Sequence, residues 1–545
     1  MEGMLHRLES GFDAIFTERL NPFYQLGALS FYFFWIVTVS GLYLFIFFNT
    51  SINGAFESID RLTHEQWYIG GVMRSLHRYA SDAMVVVVTL HLLREFVLGR
   101  FHGVRWFSWF SGVPLIWLMF AAGIGGYWLV WDRLAQYIAI ATTEWIDWLP
   151  IFGDALSRNF LSDKTLSDRF FSLLVFLHIA LPLFLLLGMF IHIKRIKQAR
   201  SNPPRALMIG VLAMLIVLSI VKPAVSMGPA DLSTTVALVD FDWFYLNVYP
   251  LLDSIGAGPL WLLLGSVTGV LALLPWMPRR RQTQATAIQI TTVPAVVNPD
   301  NCNGCSWCYQ DCPYEAITMI PHSYKPNLRQ ALVDPDLCTA CGICEGSCPS
   351  ATPFRNVEEL ISGIEIPDYP LDRLRKEAEE RLAALDPSQT NIVVFGCDHG
   401  LPVDNLTDHH LQALSLPCIG MLPPSFADFI ARKPEVAGVM ITGCHPQNCY
   451  YRLGSEWTEQ RFDGKRMPHL RTKAGKDKVR ISWAGPRDGA RFRAELDAYR
   501  ADRQSAVSSI AGATSTAEDD AADPAPPADA DPTAIPAEPA ERDLT

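Results

Sequence analysis

Four histidines recur at one spacing in the apolar first half of the chain. His77 and His91 stand 14 residues apart in SLHRYASDAMVVVVTLHLL, and His178 and His192 stand 14 apart in FLHIALPLFLLLGMFIH. On an α-helix that gap is about 21 Å of rise and nearly four turns, so each pair sits close to one face of its helix at two depths. Haem iron accepts two axial imidazoles. Facing helices would therefore hold one haem between His77 and His178, toward the outside, and a second between His91 and His192, toward the inside. A lone histidine in a membrane helix is more simply polar glue between helices. A second regularity favours metal: Gly27 and Gly41, and Gly112 and Gly126, are also 14 apart, and glycine lets a flat macrocycle approach the backbone.

The cysteines carry a second chemistry. Cys302, Cys305, Cys308 and Cys312, followed by Pro313, form a C-x2-C-x2-C-x3-C-P run that Cys338, Cys341, Cys344, Cys348 and Pro349 repeat residue for residue. This is the bacterial two-cluster pattern, in which each [4Fe-4S] cubane takes three thiolates from one run and the fourth from the other. One cluster is expected on Cys302, Cys305, Cys308 and Cys348, its neighbour on Cys338, Cys341, Cys344 and Cys312. Structural zinc uses paired C-x-x-C knuckles and has no need of the rest of the run. Four further cysteines follow another pattern: Cys397 in VVFGCDHG, Cys418 in LPCIGMLPP, and Cys444 and Cys449 in ITGCHPQNCYYRLG. Beyond strand ends, in the crevice where open α/β sheets place ligands, they could hold one small cluster; buried structural cysteines are the alternative. All 12 cysteines fall between Cys302 and Cys449, a clustering that reads as metal ligation in a reducing compartment rather than as disulfides.

Two kinds of scaffold must position these groups. The 545 residues have a formal net charge of −11, which argues against nucleic acid as a partner. Charged residues are only 19% of the chain, against about 25% in ordinary soluble proteins. Uncharged spans at 23–48, 106–131, 170–193, 206–221 and 254–277, with 70–93 interrupted by Arg74, Arg78 and Asp82, predict about six membrane helices. Residues 1–20 form a short amphipathic helix in this reading and lack the features of a signal peptide. The loops at the N-terminus, 94–105, 194–205 and 279–281 hold 13 Lys or Arg against six in the opposite loops, which places both chain ends in the cytoplasm. The loop 132–169, with Trp145 and Trp148, is expected to lie as short helices on the outer interface.

The domain plan is then a membrane domain over 1–281, a linker over 282–298, a cysteine-rich module over 299–355, a helical spacer over 356–388 and a small α/β unit over 389–503. In the last, 391–395 and 436–442 read as buried strands with a helix between them. Residues 504–545, rich in Ala, Pro, Asp and Glu, are expected to be a disordered acidic tail. The fold class is an all-α transmembrane haem-binding bundle followed by an α+β dicluster ferredoxin module and a small α/β iron-sulfur domain.

RSLHRYASD, GYWLVWDRLAQYIA and DRFFSLLVFLHIALP resemble segments of the cytochrome b subunit of respiratory and photosynthetic bc complexes, over about residues 15–275. That resemblance implies two b-type haems on the four histidines, flanking glycines, a quinone as substrate, and a dimer as in those complexes. PADLSTTVALVDFDWFYLNVYP resembles the family's quinol segment, with Asp242 where the family has Glu. Asp242, Trp243 and Tyr245 are the positions a quinone site would use, and an interfacial loop with aromatic anchors is the alternative. Residues 296–354 resemble two-[4Fe-4S] ferredoxins, with Tyr314 and Ile317 in packing positions of that fold. GCHPQNCYYRLG resembles the delta subunit of methyl-viologen-reducing hydrogenase, over about residues 390–475. This implies a [2Fe-2S] cluster on Cys397, Cys418, Cys444 and Cys449, where the family has five candidate ligands, and a heterodisulfide-reductase-like flavoprotein partner. His399 and His445 are spare nitrogen ligands or, more simply, loop hydrogen-bonders.

These parts line up as a wire: a docking domain with one cluster, a two-cluster relay, an inner haem and an outer haem. No nucleotide-binding glycine loop or Ser-His-Asp set occurs, so hydride chemistry needs a partner. The expected function is a multi-pass subunit of the bacterial inner membrane that exchanges electrons between a cytoplasmic flavoprotein, FAD-containing and NAD(P)H-dependent or heterodisulfide-reductase-like, and the membrane quinone pool. A haem and iron-sulfur anchor that serves another haem protein without touching quinone is one alternative. A subunit of an electron-bifurcating assembly is another.

Overall fold

The computed structural model describes residues 2–151, 167–194, 197, 199–236, 238–278, 293–355, 357–470 and 477–519. The first half is helical: α1 (Glu2–Leu20), α2 (Leu26–Phe47), α3 (Ile52–His64), α4 (Val72–Val97), α5 (Trp106–Val130), α6 (Arg133–Asp147), α7 (Asp168–Ile193), α8 (Arg205–Val221), α9 (Val248–Ile255) and α10 (Ala257–Leu273). Every expected span is a helix. Among the described residues four helical stretches, Pro22–Phe47, Gly103–Val130, Asp168–Ile193 and Ala257–Trp276, are long and apolar enough to cross a membrane. The other two candidates differ in kind: α4 carries Arg74, Arg78, Asp82 and Arg94, and α8 has 17 residues. Two of the helices start at a side-chain cap. Ser51 accepts from Gly54 N–H at the head of α3, and Asp132 accepts from Ala135 N–H at the head of α6, satisfying orphan donors of the first turn.

α2 packs along α4, and α5 along α7. Leu29, Phe33, Phe34, Leu76, Ala80, Met84, Met119 and Leu185 close one core between them. In the loop expected at the interface, α6 forms as foreseen, but its two tryptophans part ways. Trp145 is buried and stacks on Trp261 at 4.7 Å, whereas Trp148 is exposed. Residues 152–166 of that loop, and 282–292 of the linker, lie outside the described residues.

The second half is mixed α/β. β1 (Val296–Val297) pairs antiparallel with β4 (Ile364–Glu365), and β2 (Ile317–Pro321) forms an antiparallel pair with β3 (Arg329–Val333). One-turn helices α11 (Trp307–Gln310) and α12 (Ile343–Gly346) lie within the two cysteine runs and carry Cys308 and Cys344. The spacer forms α13 (Leu371–Leu382). Next comes a four-stranded parallel sheet of order β6-β5-β7-β8, made of β5 (Ile392–Cys397), β6 (Leu411–Leu416), β7 (Gly438–Ile441) and β8 (Val479–Ile481). Helices α14 (Pro424–Ala431), α15 (Gly454–Phe462) and α16 (Gly489–Asp519) complete it. β5 and β7 are the two expected strands. Every residue of both is buried, as a parallel strand covered on two faces requires. α16 runs past residue 504 to Asp519, through a stretch expected to be unstructured; no proline interrupts it, the first coming only at Pro524. Residues 520–545 of the expected tail lie outside the described residues.

Candidate redox centres and the contacts that join them

The pairing of α2 with α4 and of α5 with α7 brings each period-14 glycine to a histidine. A Cβ at Gly41 would lie 2.9 Å from Cε1 of His77, and at Gly126 2.9 Å from Cε1 of His178. At Gly112 it would lie 3.2 Å from His192, and at Gly27 3.6 Å from His91. The glycines therefore make room first for the imidazole rings, where the sequence suggested room for a macrocycle. The His77 and His178 rings meet edge-on, with centroids 6.4 Å apart and planes inclined at 63°. Metal–nitrogen bonds of about 2 Å on both sides, with about 1.1 Å from each nitrogen to its ring centre, place two axial imidazoles roughly 6.2 Å apart, so this pair fits a single haem iron between its rings.

The outer ring nitrogens fix the tautomer. Nδ1 of His77 lies 2.9 Å from the Val37 carbonyl, and Nδ1 of His178 lies 3.0 Å from the Ala122 carbonyl. A carbonyl oxygen only accepts, so Nδ1 carries the proton and Nε2 keeps its lone pair for a metal. Ser111 donates its hydroxyl to Phe107 O at 2.7 Å, so its oxygen accepts from Nδ1 of His192 at 3.1 Å. Ser40 does the same for His77, donating to Ile36 O at 2.7 Å and lying 3.1 Å from Nδ1. Neither serine is a predicted site residue. Their signal was a Ser-Gly dipeptide repeated at Ser40-Gly41 and Ser111-Gly112, inside the glycine period.

The two cysteine runs close around two cavities. One is lined by Cys302, Cys305, Cys308 and Cys348, with Met319 and Ile364. The other is lined by Cys312, Cys338, Cys341 and Cys344, with Ile317 and Tyr314. Each cavity thus draws three cysteines from one run and the fourth from the other. Four thiols around each cavity are the donor set a cuboid cluster needs. Burial pushes the Cys308 and Cys341 thiols up to about 12. Alone they would hold their protons, and metal binding would release them. Cys305 is exposed, which leaves the first cavity at the protein surface.

The last four cysteines also converge. Sγ of Cys397 and Cys444 are 3.6 Å apart, and a Cβ at Gly454 would lie 2.4 Å from Cys418 Sγ and 3.6 Å from Cys449 Sγ. All four are buried. Hydrogen bonds from the Cys418 and Cys444 thiols hold Cys449 well below the usual thiol range. His399 stacks on Tyr450 with ring centroids 3.7 Å apart, and His445 lies 3.8 Å from Glu18, so both histidines are engaged at the edge of the set.

The three residues suggested for quinone are scattered in exposure. Asp242 is buried, takes a hydrogen bond from the Tyr127 hydroxyl, accepts from Phe244 N–H at 2.8 Å and lies 3.8 Å from Arg78. Tyr245 is buried and donates to Ser81 O at 3.2 Å, while Trp243 is exposed.

Contacts join the halves at the α4 and α5 ends, none foreseen from sequence. Arg94, held by Glu9 at 2.8 Å, donates to the Asn448 side chain. Arg100 donates to Asn448 O at 2.8 Å, and Arg105 to Cys449 O and Tyr450 O at 3.1 and 3.0 Å. Glu95 binds both Arg100 and Arg105 at 3.5 Å. Lys197 gives its backbone N–H to Pro313 O at 3.0 Å and its ammonium to Tyr309 O at 2.7 Å.

The family models match in the same order. "Cytochrome b/b6/petB" matches residues 12–200, "4Fe-4S dicluster domain" matches 301–352, and "Methyl-viologen-reducing hydrogenase, delta subunit" matches 404–503. The last begins beyond Cys397. The chain is 24% identical over 300 residues to cytochrome b of Rhodospirillum rubrum, covering 49% of this chain and 73% of that one. It is 32% identical over 137 residues to cytochrome b6 of Heliobacterium mobile, covering 25% of this chain and 64% of that one. A solved structure described as "Hyperthermophilic respiratory Complex III" overlaps 47% of this chain and 75% of its own, at 21% identity and a TM-score of 0.39. The chain is a membrane electron-transfer subunit that carries, in order, a cytochrome b/b6 domain, a 4Fe-4S dicluster domain and a methyl-viologen-reducing hydrogenase delta-subunit domain.

Proposed function

We propose that this chain conducts electrons between a cytoplasmic flavoprotein partner and the membrane quinone pool, through two b-type haems, two [4Fe-4S] clusters and one further iron-sulfur centre. The observation that carries the reading is the set of five ligand groups: two histidine pairs, two four-cysteine cavities and one buried cysteine tetrad. In this reading His77 and His178 hold the outer haem, His91 and His192 the inner one, and each cavity's cysteines one cubane. Cys397, Cys418, Cys444 and Cys449 hold the last centre, a [2Fe-2S] cluster. The bound groups supply one-electron redox chemistry. The protein supplies the rest: Nδ1 hydrogen bonds orient the imidazoles, the apolar core around Phe33 and Met84 excludes water, and buried thiols surrender protons to metal. All six apolar helices cross the bacterial inner membrane, and the iron-sulfur domains face the cytoplasm. Asp242 and the Tyr127 hydroxyl, already hydrogen-bonded, would pass a proton beside a quinone.

The engaged oxygens of Asp242 also suit a second reading, an anchor that serves another haem protein and leaves quinone alone. A single experiment separates the two. Dithionite-reduced protein is mixed with decylubiquinone and the haem absorbance followed. The first reading expects prompt reoxidation of both b-type components, and haems that stay reduced would favour the anchor.

A further inference from the structure

We infer that the loop from Cys444 to Arg452 is the electrical contact between the two halves of the chain, so that the last four-cysteine centre, and not the dicluster module, faces the inner histidine pair. The inference rests on the ligand assignments proposed above and reverses the order suggested by the linear sequence, which set that domain farthest from the membrane.

Three observations carry it. First, the loop is bound directly beneath the inner pair. Arg94 follows His91 by three residues on α4, about 4.5 Å of helical rise, and its guanidinium holds Asn448 next to Cys449. Arg105, immediately before α5, holds the Cys449 carbonyl at 3.1 Å. Gly112, which meets the His192 ring, lies six residues after Trp106, about 9 Å of rise. Second, the tetrad abuts the second cubane cavity on its other side. A Cβ at Gly342 would lie 2.7 Å from the Met421 side chain and one at Gly346 2.2 Å from Gly420 O, and Cys418 shares a packed core with Cys341 and Cys344. Third, the first cavity lies at the surface, with Cys305 exposed.

The order from outside to inside is then His77/His178, His91/His192, the tetrad, the Cys338 cavity and the Cys302 cavity. A soluble partner would exchange electrons at the surface near Cys305. One electron crosses the Cys449 contact at a time, in either direction, oxidising iron on one side as iron on the other is reduced, and no bond is made or broken. Arg94, Arg100 and Arg105 act as positioning residues. The competing route runs from Cys312 through Pro313 to Lys197, where the cubane module touches the turn after α7.

Electron paramagnetic resonance on the full-length protein in detergent decides between the routes. A ferric haem speeds the spin relaxation of the reduced cluster nearest to it, and radiolytic reduction of the frozen, oxidised protein leaves the two side by side. The cluster signal lost in Cys418→Ser, or in Cys397→Ser should the first variant fail to fold, identifies the tetrad. That signal is expected to relax several-fold more slowly once the inner haem is removed by His91→Leu or His192→Leu, with the cubane signals little changed. If a cubane signal slows and the tetrad signal does not, the contact assignment is overturned while the ligand assignments stand. If neither cysteine variant removes an iron signal, the ligand assignment itself falls, and the inference with it.

Discussion

Replacing His178 with leucine is expected to remove one of the two b-type haem components from the optical spectrum and leave the other in place, so that haem per chain falls by half. Its Nδ1 is committed to the Ala122 carbonyl at 3.0 Å and its ring stands 6.4 Å from that of His77, which leaves Nε2 as its ligating nitrogen. Leucine has nearly the volume of histidine and suits an apolar helix, which keeps α7 packed on α5 while deleting the ligand. The cubane and tetrad signals should remain reducible by dithionite. Gly126→Leu is a companion test with a different cause. Even a Cβ there would stand 2.9 Å from the His178 ring, so the larger side chain must displace the imidazole, and the same component should be lost although every ligand is present. Pyridine haemochrome content and the reduced-minus-oxidised spectrum read both variants. Unchanged haem content in His178→Leu would show that His178 is not an axial ligand.

The second large effect is expected far from any ligand. Asp311, buried in the dicluster module, takes Arg461 Nη2 on one oxygen at 2.5 Å and Arg466 Nη2 on the other at 2.6 Å. Arg461 is itself fully buried and gives Nη1 to Gly420 O at 2.7 Å, two residues beyond Cys418. Asp311→Ala would strand a buried guanidinium, and breaking a buried pair from one side costs about 3–5 kcal/mol. For a unit of this size that lowers the melting midpoint by roughly 10 °C. Arg461→Met should cost less, because Arg466 still pairs Asp311. Iron release on heating the full-length protein is the measurement. The haem bands should melt at their usual temperature, since this ion pair lies wholly within the soluble half. An unshifted iron-release midpoint in Asp311→Ala would mean that the pair does not join the two iron-sulfur domains.

Chemistry that repeats along the chain was legible in the sequence. The histidines and glycines share one period, and the cysteine runs copy each other, so spacing marked the four histidines and four glycines as one set and assigned Cys348 to the other run's cluster. Contacts between distant segments were not legible. Arg105 and Cys449 are 344 residues apart, and an arginine at a helix end reads as loop charge whether or not it grips a loop. Asp311 and Arg461 were hidden for the same reason. Among the strands, β5 and β7 announced themselves as unbroken apolar runs. β6 (LQALSL) did not, because Gln412 and Ser415 break its run, and β8 was too short at three residues. Ser40 and Ser111 escaped because serine is common in membrane helices and hydrogen-bonds to its own helix, and only its recurrence before two of the four glycines set it apart.

The most direct test of the central claim, that one polypeptide carries a continuous set of redox centres from a soluble domain into the membrane, is the haem and iron content of the purified full-length chain. Two b-type haems and about ten cluster irons per chain are expected, from two [4Fe-4S] cubanes and one [2Fe-2S] centre. A preparation reconstituted with iron, sulfide and haem that still showed no Soret band and bound no iron would contradict the claim.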